Sequence, residues 1–270
     1  MTGKNVIKGF FEQSRIINAL ILKELRTRFG NKKLGLIWIF IEPLLHIAVL
    51  LIIKLVILGR GGMDPEHYVL FVISGLIPFF VISKTYTRVM AGAEGGSVRA
   101  MLIFPMINMF DVALTRAVFE MVSQFLVLTV LLFGLFFWGF DFEFNYLFTA
   151  ILFFPLFAFF GLGFGVLLRG VVAIFPNFGI FVRAMNRLLY LTSGIIIPID
   201  QRLSDQMLEY ASYNPITHLL ECFRDALFVH HDALSLFLNW QYAFYIGAVS
   251  LILGTMIEKR YMHRILANDE

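Results

Sequence analysis

Ionisable side chains embedded in long apolar stretches are the residues of this sequence best placed to do chemistry. Most lie in two stretches, as Glu42, His46 and Lys54 in the first and Asp111, Arg116 and Glu120 in the second. A charge at the centre of a membrane helix costs about 2.5–3.5 kcal/mol on insertion scales, so such groups face protein or water. Glu42 and His46 share one helix face, and so do Arg116 and Glu120. Two interpretations stay open: structural pairing, or contact with a pathway through the membrane.

Motifs for covalent, metal or nucleotide chemistry are missing from the sequence. It contains no G-x-x-x-x-G-K-[ST], so the chain is not expected to bind ATP through a P-loop. It contains no H-E-x-x-H and no cluster of Cys and His, and the isolated pair His230-His231 is predicted to lie in a solvated loop. Asp111 and Glu120 do not share a helix face closely, which disfavours paired acid–base catalysis. We therefore expect no catalytic residue, no metal and no cofactor in this chain.

The composition indicates which elements must position these groups. Of the 270 residues, 59% are hydrophobic and 15% are charged, a balance that excludes an ordinary soluble domain. The sequence therefore predicts an all-α polytopic membrane protein. The net charge of +3 is small, and no nucleic-acid partner is expected. No cleavable signal peptide is evident at the N-terminus, so the first span is expected to direct insertion.

Six transmembrane helices are predicted from the apolar stretches. They lie near 34–58, 68–91, 109–138, 146–168, 178–197 and 239–257. The fifth has Arg183 and Arg187 in its first turns, and an extension of that helix into the cytoplasm would keep both in water. The fourth carries Gly161, Gly163 and Gly165, which predict close helix packing and not a phosphate-binding loop, because no strand precedes them.

The distribution of Lys and Arg between the loops predicts the orientation of the chain. Basic residues are concentrated in the first 33 residues, at the second–third and fourth–fifth connections and at the C-terminus. The opposite side shows only Arg60, Arg202 and Arg224. Both termini are therefore predicted to be cytoplasmic. Residues 1–33 are expected to form an amphipathic helix at the membrane interface, 34–257 the transmembrane domain, and 258–270 a cytoplasmic tail.

The segment 198–230 lies between two apolar spans but is not expected to cross the membrane. Pro198 ends the preceding span, and Asn214-Pro215 begins a new helix, with Asn as the N-cap and Pro at the first helical position. Each half of the segment has the length of a re-entrant helix and not of a span. Irregular backbone at membrane depth needs protein or a water-filled cavity around it, so this segment is predicted to line or cover a pathway.

The segment 94–105, EGGSVRAMLIFP, is predicted to form a short cytoplasmic helix. Gly95-Gly96 breaks the preceding helix, Ser97 is a good N-cap, and Pro105 ends the segment. Its apolar residues Val98, Met101 and Leu102 share one face, and such a face needs a groove in which to bury. The groove is either on a partner protein or on the rest of this chain.

Aromatic residues offer a second kind of pathway contact. Trp38, Phe40, Tyr86 and Tyr190 could stack on sugar rings inside a pore. Trp and Tyr also populate the two interfaces of a membrane, which is the alternative role for them.

Four segments of the sequence resemble type-2 ABC exporter permeases. They are LKELRTRFGNKKLGLIWIFIEPLL (22–45), FPMINMFDVALTRAVFE (104–120), SGIIIPI (193–199) and YNPITHLLECFRDALF (213–228). The likeness covers nearly the whole chain and is greatest to the inner-membrane permeases that export capsular polysaccharide in Gram-negative bacteria.

This resemblance implies a homodimer bound to two copies of a separate ATP-binding subunit, which would hold the ATP and Mg. It implies that residues near 94–105 form a coupling helix, that 198–230 form a re-entrant outer gate, and that the cargo is a lipid-linked anionic polysaccharide passed to periplasmic and outer-membrane proteins. For contact with the ATPase subunit we single out Val98, Arg99, Met101, Leu102 and Phe104. For the channel we single out Trp38, Tyr86, Arg88 and Tyr190.

The expected function is that of a membrane permease subunit, not of an enzyme, in the bacterial inner membrane. Exporters of O-antigen or teichoic acid are an alternative within the same architecture. From other classes, a secondary transporter would need inverted repeats with broken helices, and the halves of this sequence show no matching pair. A membrane enzyme acting on lipid-linked sugars would need paired carboxylates on one face.

Overall fold

The computed structural model describes residues 3–29, 37–54, 65–93, 107–199, 203–229, 231 and 234–267. Within these ranges the regular structure is helical, apart from one isolated antiparallel bridge between Phe144 and Phe228. The α-helices, numbered here in chain order, are α1 Gly3–Phe29, α2 Trp38–Ile53, α3 Pro65–Met90, α4 Met109–Phe137, α5 Leu147–Ile174, α6 Phe178–Thr192, α7 Asp205–Ser212, α8 Pro215–Leu227 and α9 Trp240–Ala267. Two 3-10 turns lie at Ala91–Ala93 and Ser235–Phe237. The predicted all-α class is confirmed.

Among the residues that the structure describes, four helices are long and apolar enough to cross a membrane. They cover Glu66–Met90, Met109–Phe137, Leu147–Ile174 and Trp240–Tyr261, and they match the second, third, fourth and sixth predicted spans. The regions predicted as the first and fifth spans contain shorter helices, α2 with 16 residues and α6 with 15. A helix that crosses the hydrocarbon core alone needs about 20 residues.

Helix α6 ends earlier than the sequence predicts for the fifth span. It stops at Thr192, and Gly194 follows with φ 72°. A left-handed residue shortly after a helix favours glycine and turns the chain away from the helix axis. The residues up to Pro198 therefore leave the helix as irregular backbone and do not extend the span.

Helix α3 is the centre of the bundle, and almost its whole apolar length is buried. It packs against α2, α4, α5, α6 and α8. Buried apolar residues such as Val72, Leu76 and Ile82 supply the packing, yet the same helix carries Lys84 and Arg88 near its end. Most of the surface of α4 and α9 faces outward instead.

Glycines allow α5 to approach its neighbours closely. A Cβ at Gly163 would overlap the main-chain carbonyl of Gly247 in α9. A Cβ at Gly161 would lie 2.8 Å from the Cβ of Thr85, and one at Gly165 would lie 2.8 Å from the Cβ of Val89, both on α3. The predicted role of these glycines in helix packing is therefore confirmed.

Helix α1 packs against the beginning of α4. Leu20 of α1 is buried in a cluster with Met109 and Val112. The side-chain amide of Gln13 donates a hydrogen bond to Asp111, which also accepts one from the backbone N–H of Asn108 at 2.9 Å. The N-terminal amphipathic helix is thus fixed to the transmembrane bundle by both apolar and polar contacts.

Candidate transport pathway and gate

Two polar cavities adjoin each other along one side of α3. One, of about 390 Å³, lies between α2, α3 and α6, and the other, of about 360 Å³, lies between α1, α2, α3 and α4. Glu42 and Lys84 line both, so the two cavities form one continuous surface. We call this surface the polar lane; its charged and aromatic members are Trp38, Glu42, His46, Phe79, Phe80, Lys84, Arg88, Phe119, Glu120, Arg187 and Tyr190.

An ion pair occupies the middle of the polar lane. The Lys84 Nζ lies 2.7 Å from Glu42 Oε2 and 4.3 Å from the centre of the Phe80 ring. The His46 Nδ1 lies 2.9 Å from the backbone oxygen of Glu42, so the expected pairing with His46 uses the main chain of Glu42 and leaves its carboxylate to Lys84. This pair could not be predicted from local sequence patterns, because its members come from different helices.

A second ion pair, between Arg88 and Glu120, lines the cavity next to α4. Arg88 of α3 donates to the Glu120 carboxylate on α4, and Arg116 donates to the backbone carbonyl of Arg88. Glu120 is buried, whereas the side chain of Arg88 is 38% exposed. The guanidinium of Arg88 is therefore neutralised on one side and accessible from the cavity on the other.

The structure brings three of the four predicted channel residues to the lane. Trp38 and Arg88 line the same cavity, with Trp38 well exposed, and Tyr190 lines the adjoining one. Tyr86 lies elsewhere: it is 1% exposed, its hydroxyl donates to Asn186 Oδ1 at 2.6 Å, and its ring packs edge-on against Phe164. Tyr86 reaches the lane only through Asn186, which lines it.

The chemistry of the lane suits the binding of polar molecules. It presents an ammonium, a guanidinium, carboxylates and aromatic rings to one space, and these are the groups that hydrogen-bond and stack against hydroxyl-rich or anionic molecules. Among the described residues, no three His, Cys, Asp or Glu side chains lie close enough to hold a metal ion. The five residues predicted to contact an ATPase subunit, Val98, Arg99, Met101, Leu102 and Phe104, lie outside the described residues.

A buried arginine organises the region predicted as a gate. Arg224 of α8 is 1% exposed and donates to Glu221 Oε1 at 2.6 Å, to the carbonyl of Gly194 at 2.8 Å and to that of Phe71 at 3.2 Å. Its guanidinium also stacks 3.8 Å above the Phe71 ring, and a Cβ on Gly75 would overlap it. The sequence analysis counted Arg224 among the few basic residues of the outer side, and the structure shows that its side chain is buried.

The carboxylate of Glu221 is held between two partners. Oε1 accepts from Arg224, and Oε2 lies 2.8 Å from His231 Nε2. Burial alone would raise the pKa of the Glu221 carboxyl, but Arg224 and His231 outweigh it, so the pKa lies below its ordinary value. His231 lies outside the helices as predicted, but its ring is mostly buried against Glu221 and is not solvated, while His230 lies outside the described residues.

Both ends of α8 are fixed by neighbouring backbone. Asn214 caps the helix as predicted, accepting from the N–H of Ile216 at 3.0 Å, and its amide donates to Ser193 Oγ at 2.9 Å. At the other end the backbone N–H of Tyr146 donates to the carbonyl of Ala226 at 2.8 Å. The short helix is thus tied to the loops after α4 and α6, although it is too short to span a membrane.

Comparison with known proteins identifies the class of this chain. Residues 15–228 match the family model described as ABC-2 type transporter. The chain is 28% identical over 246 residues to the polysialic acid transport protein KpsM of Escherichia coli, an alignment covering 91% of this chain and 93% of that one.

Two further relatives are named as capsule polysaccharide export inner-membrane proteins. CtrC of Neisseria meningitidis serogroup A is 24% identical over 255 residues, covering 94% of each chain. BexB of Haemophilus influenzae is 26% identical over 220 residues, covering 80% of each. Since the family model spans most of its length, the chain belongs to the ABC-2 type transporter family.

Proposed function

We propose that this chain is the permease subunit of an ATP-driven exporter that moves lipid-linked capsular polysaccharide across the bacterial inner membrane. The observation that carries the proposal is the match over nine tenths of the chain to KpsM and CtrC, whose names assign them to polysialic acid transport and capsule polysaccharide export. The polar lane adds physical support, because its charged and aromatic groups suit an acidic, hydroxyl-rich polymer.

The working unit is a homodimer with two ATP-binding subunits on its cytoplasmic side. Each permease contributes six membrane-embedded helices, among which α2 and α6 are the short ones, with both termini in the cytoplasm. The exposed apolar residues of α2 and α6, such as Leu45, Val49 and Leu188, then face the second copy, and the two polar lanes meet near the dimer axis. Helices α7 and α8 form the re-entrant outer gate.

ATP-driven closure of the partner subunits acts on the coupling segment 94–105. That motion tilts the spans and opens a channel between the two lanes. During passage, acidic sugars compete with Glu42 for Lys84 and with Glu120 for Arg88, so each ion pair opens as the polymer moves and closes behind it. The exported polymer leaves past α8 toward periplasmic and outer-membrane proteins.

Reconstitution tests the proposal directly. The chain and its ATP-binding subunit are placed in proteoliposomes loaded with labelled lipid-linked capsular polysaccharide, and transfer is measured as access of the label to an external glycosidase. We expect transfer with ATP and none without it. Transfer that ignores ATP but collapses with the proton gradient would show a secondary transporter, and product formed by the chain alone would show an enzyme.

A double substitution tests the coupling segment. Met101→Asp with Leu102→Asp places two charges on the apolar face and should abolish assembly with the ATPase subunit, measured by co-purification, because a charged face does not bury in an apolar groove. Ile265→Asp with Leu266→Asp in the C-terminal tail adds the same charge as a control. Unchanged assembly and export in the first variant would exclude this segment as the contact.

A further inference from the structure

A second buried arginine lies at the opposite end of α3 from Arg224. Arg169 of α5 is 1% exposed. Its Nε donates to the Glu258 carboxylate on α9, and its Nη1 donates to the backbone carbonyl of Met109, the first residue of α4, at 3.4 Å. One guanidinium therefore joins three helices.

The same guanidinium also lies against the chain that follows α3. A Cβ on Gly92 would lie 3.6 Å from Arg169 Cδ and 3.7 Å from its Nη1, and 3.3 Å from Nη1 of Arg116. Gly92 precedes the coupling segment 94–105, and Met109 follows it. The two ends of that segment are thus brought together on the side chain of Arg169.

This geometry is more specific than stability requires. A buried ion pair can often be replaced by apolar residues without loss of stability, so burial of Arg169 is weak evidence for a purely structural role. An apolar side chain could not donate hydrogen bonds to both the Met109 carbonyl and the Glu258 carboxylate. A Cβ on Gly170, the next residue of α5, would lie 2.9 Å from Ile257 Cγ2, so α5 and α9 are closely packed at this level.

We propose that the Arg169–Glu258 pair is the joint that transmits displacement of the coupling segment 94–105 to α5 and α9. Arg169 and Glu258 are positioning residues in this role, and neither contacts cargo. The inference rests on the proposed function, since it takes the segment as the place where the ATPase subunit acts. Without the joint, the segment moves with the ATPase while α5 and α9 stay where they are.

The test measures ATP hydrolysis and polymer transfer in the same proteoliposomes. In Arg169→Gln and in Glu258→Gln we expect assembly and ATP hydrolysis to be kept, while polymer transferred per ATP falls about tenfold, within the range of roughly 5–150-fold found for coupling between sites. Lys259→Gln is the matched control, because it removes one exposed charge from the same turn of α9 and should keep the wild-type ratio.

The outcomes separate the joint from a structural role and from the proposed function. The proposal would be refuted if both Gln variants transferred as much polymer per ATP as the wild type. It would also be refuted if ATP hydrolysis and polymer transfer fell together while the protein stayed folded. If Arg169→Gln does not fold, Arg169→Lys decides: it keeps the charge but loses the planar fork that reaches two acceptors, and an unchanged ratio there would refute the proposal. Absence of ATP-driven transfer in the wild-type complex would refute the proposed function instead.

Discussion

Replacing Arg224 by leucine should destabilise the chain more than any other single change at the gate. Arg224 bonds Glu221 and two backbone carbonyls, and every one of these contacts is buried. In Arg224→Leu the Glu221 carboxylate stays buried with His231 as its remaining partner. The carbonyl of Gly194, which lies in irregular backbone after α6, also loses its donor.

The expected magnitude follows from the burial of the pair. Removing one partner of a buried ion pair costs about 3–5 kcal/mol. For chains near this size, one kcal/mol lowers the midpoint of thermal unfolding by about 2–4 °C, so the midpoint should fall by about 6–20 °C. The double variant Glu221→Leu, Arg224→Leu should recover most of that loss, because no uncompensated charge stays buried.

The assay is thermal unfolding of the purified chain in lipid nanodiscs, followed by loss of the monodisperse peak in size-exclusion chromatography. Arg26→Leu, at an exposed position of α1, is the matched control, and its midpoint of thermal unfolding should equal that of the wild type. A single variant as stable as the wild type would refute the view that Arg224 holds the gate. A double variant no better than the single one would show that the backbone contacts, and not the charge, dominate.

Two further predictions concern the glycine contact and the polar lane. Gly163→Ala should destabilise the α5–α9 contact by about 1–3 kcal/mol, because the new Cβ overlaps the carbonyl of Gly247. Gly134→Ala is the control, since a Cβ there would meet no atom within 4 Å. Equal midpoints of thermal unfolding for the two variants would contradict this prediction. Lys84→Met should reduce ATP-driven transfer of polymer, because it removes the ammonium group that lines both cavities of the polar lane; unchanged transfer would exclude Lys84 from the pathway.

Local signals in the sequence were sufficient for several features of the fold. Asn214-Pro215 predicts the beginning of α8 because an N-cap and a first-turn proline act within a few residues of each other. The closely spaced glycines of α5 predict close packing because only a missing side chain permits it. Four spans follow from hydrophobic length alone.

Contacts between distant segments were beyond the reach of the sequence. Glu42 and Lys84 are 42 positions apart, and Arg224 is 153 from Phe71 and 30 from Gly194. Nothing in the local pattern distinguishes an exposed arginine from a buried one, so the burial of Arg224 could not be predicted. The early end of α6 was missed for a related reason, because the apolar residues after Gly194 continue the hydrophobic stretch although the helix does not.

Arg169 and Arg224 show how a buried arginine can donate hydrogen bonds to main-chain carbonyls inside a membrane bundle. Arg224 contacts Phe71 in α3, and Arg169 contacts Gly92 just after α3. These two positions are 21 residues apart, which corresponds to about 31 Å at 1.5 Å per residue. That distance is close to the thickness of the hydrocarbon core. Where a chain leaves a helix at such depths, its carbonyls need donors that water does not supply. A guanidinium supplies up to five N–H groups in a fixed plane, so it can satisfy carbonyls from two segments and still be neutralised by a carboxylate. Arg224 therefore stabilises the irregular backbone after α6 beside the proposed gate, while Arg169 bonds the first carbonyl of α4 at the base of the proposed coupling segment.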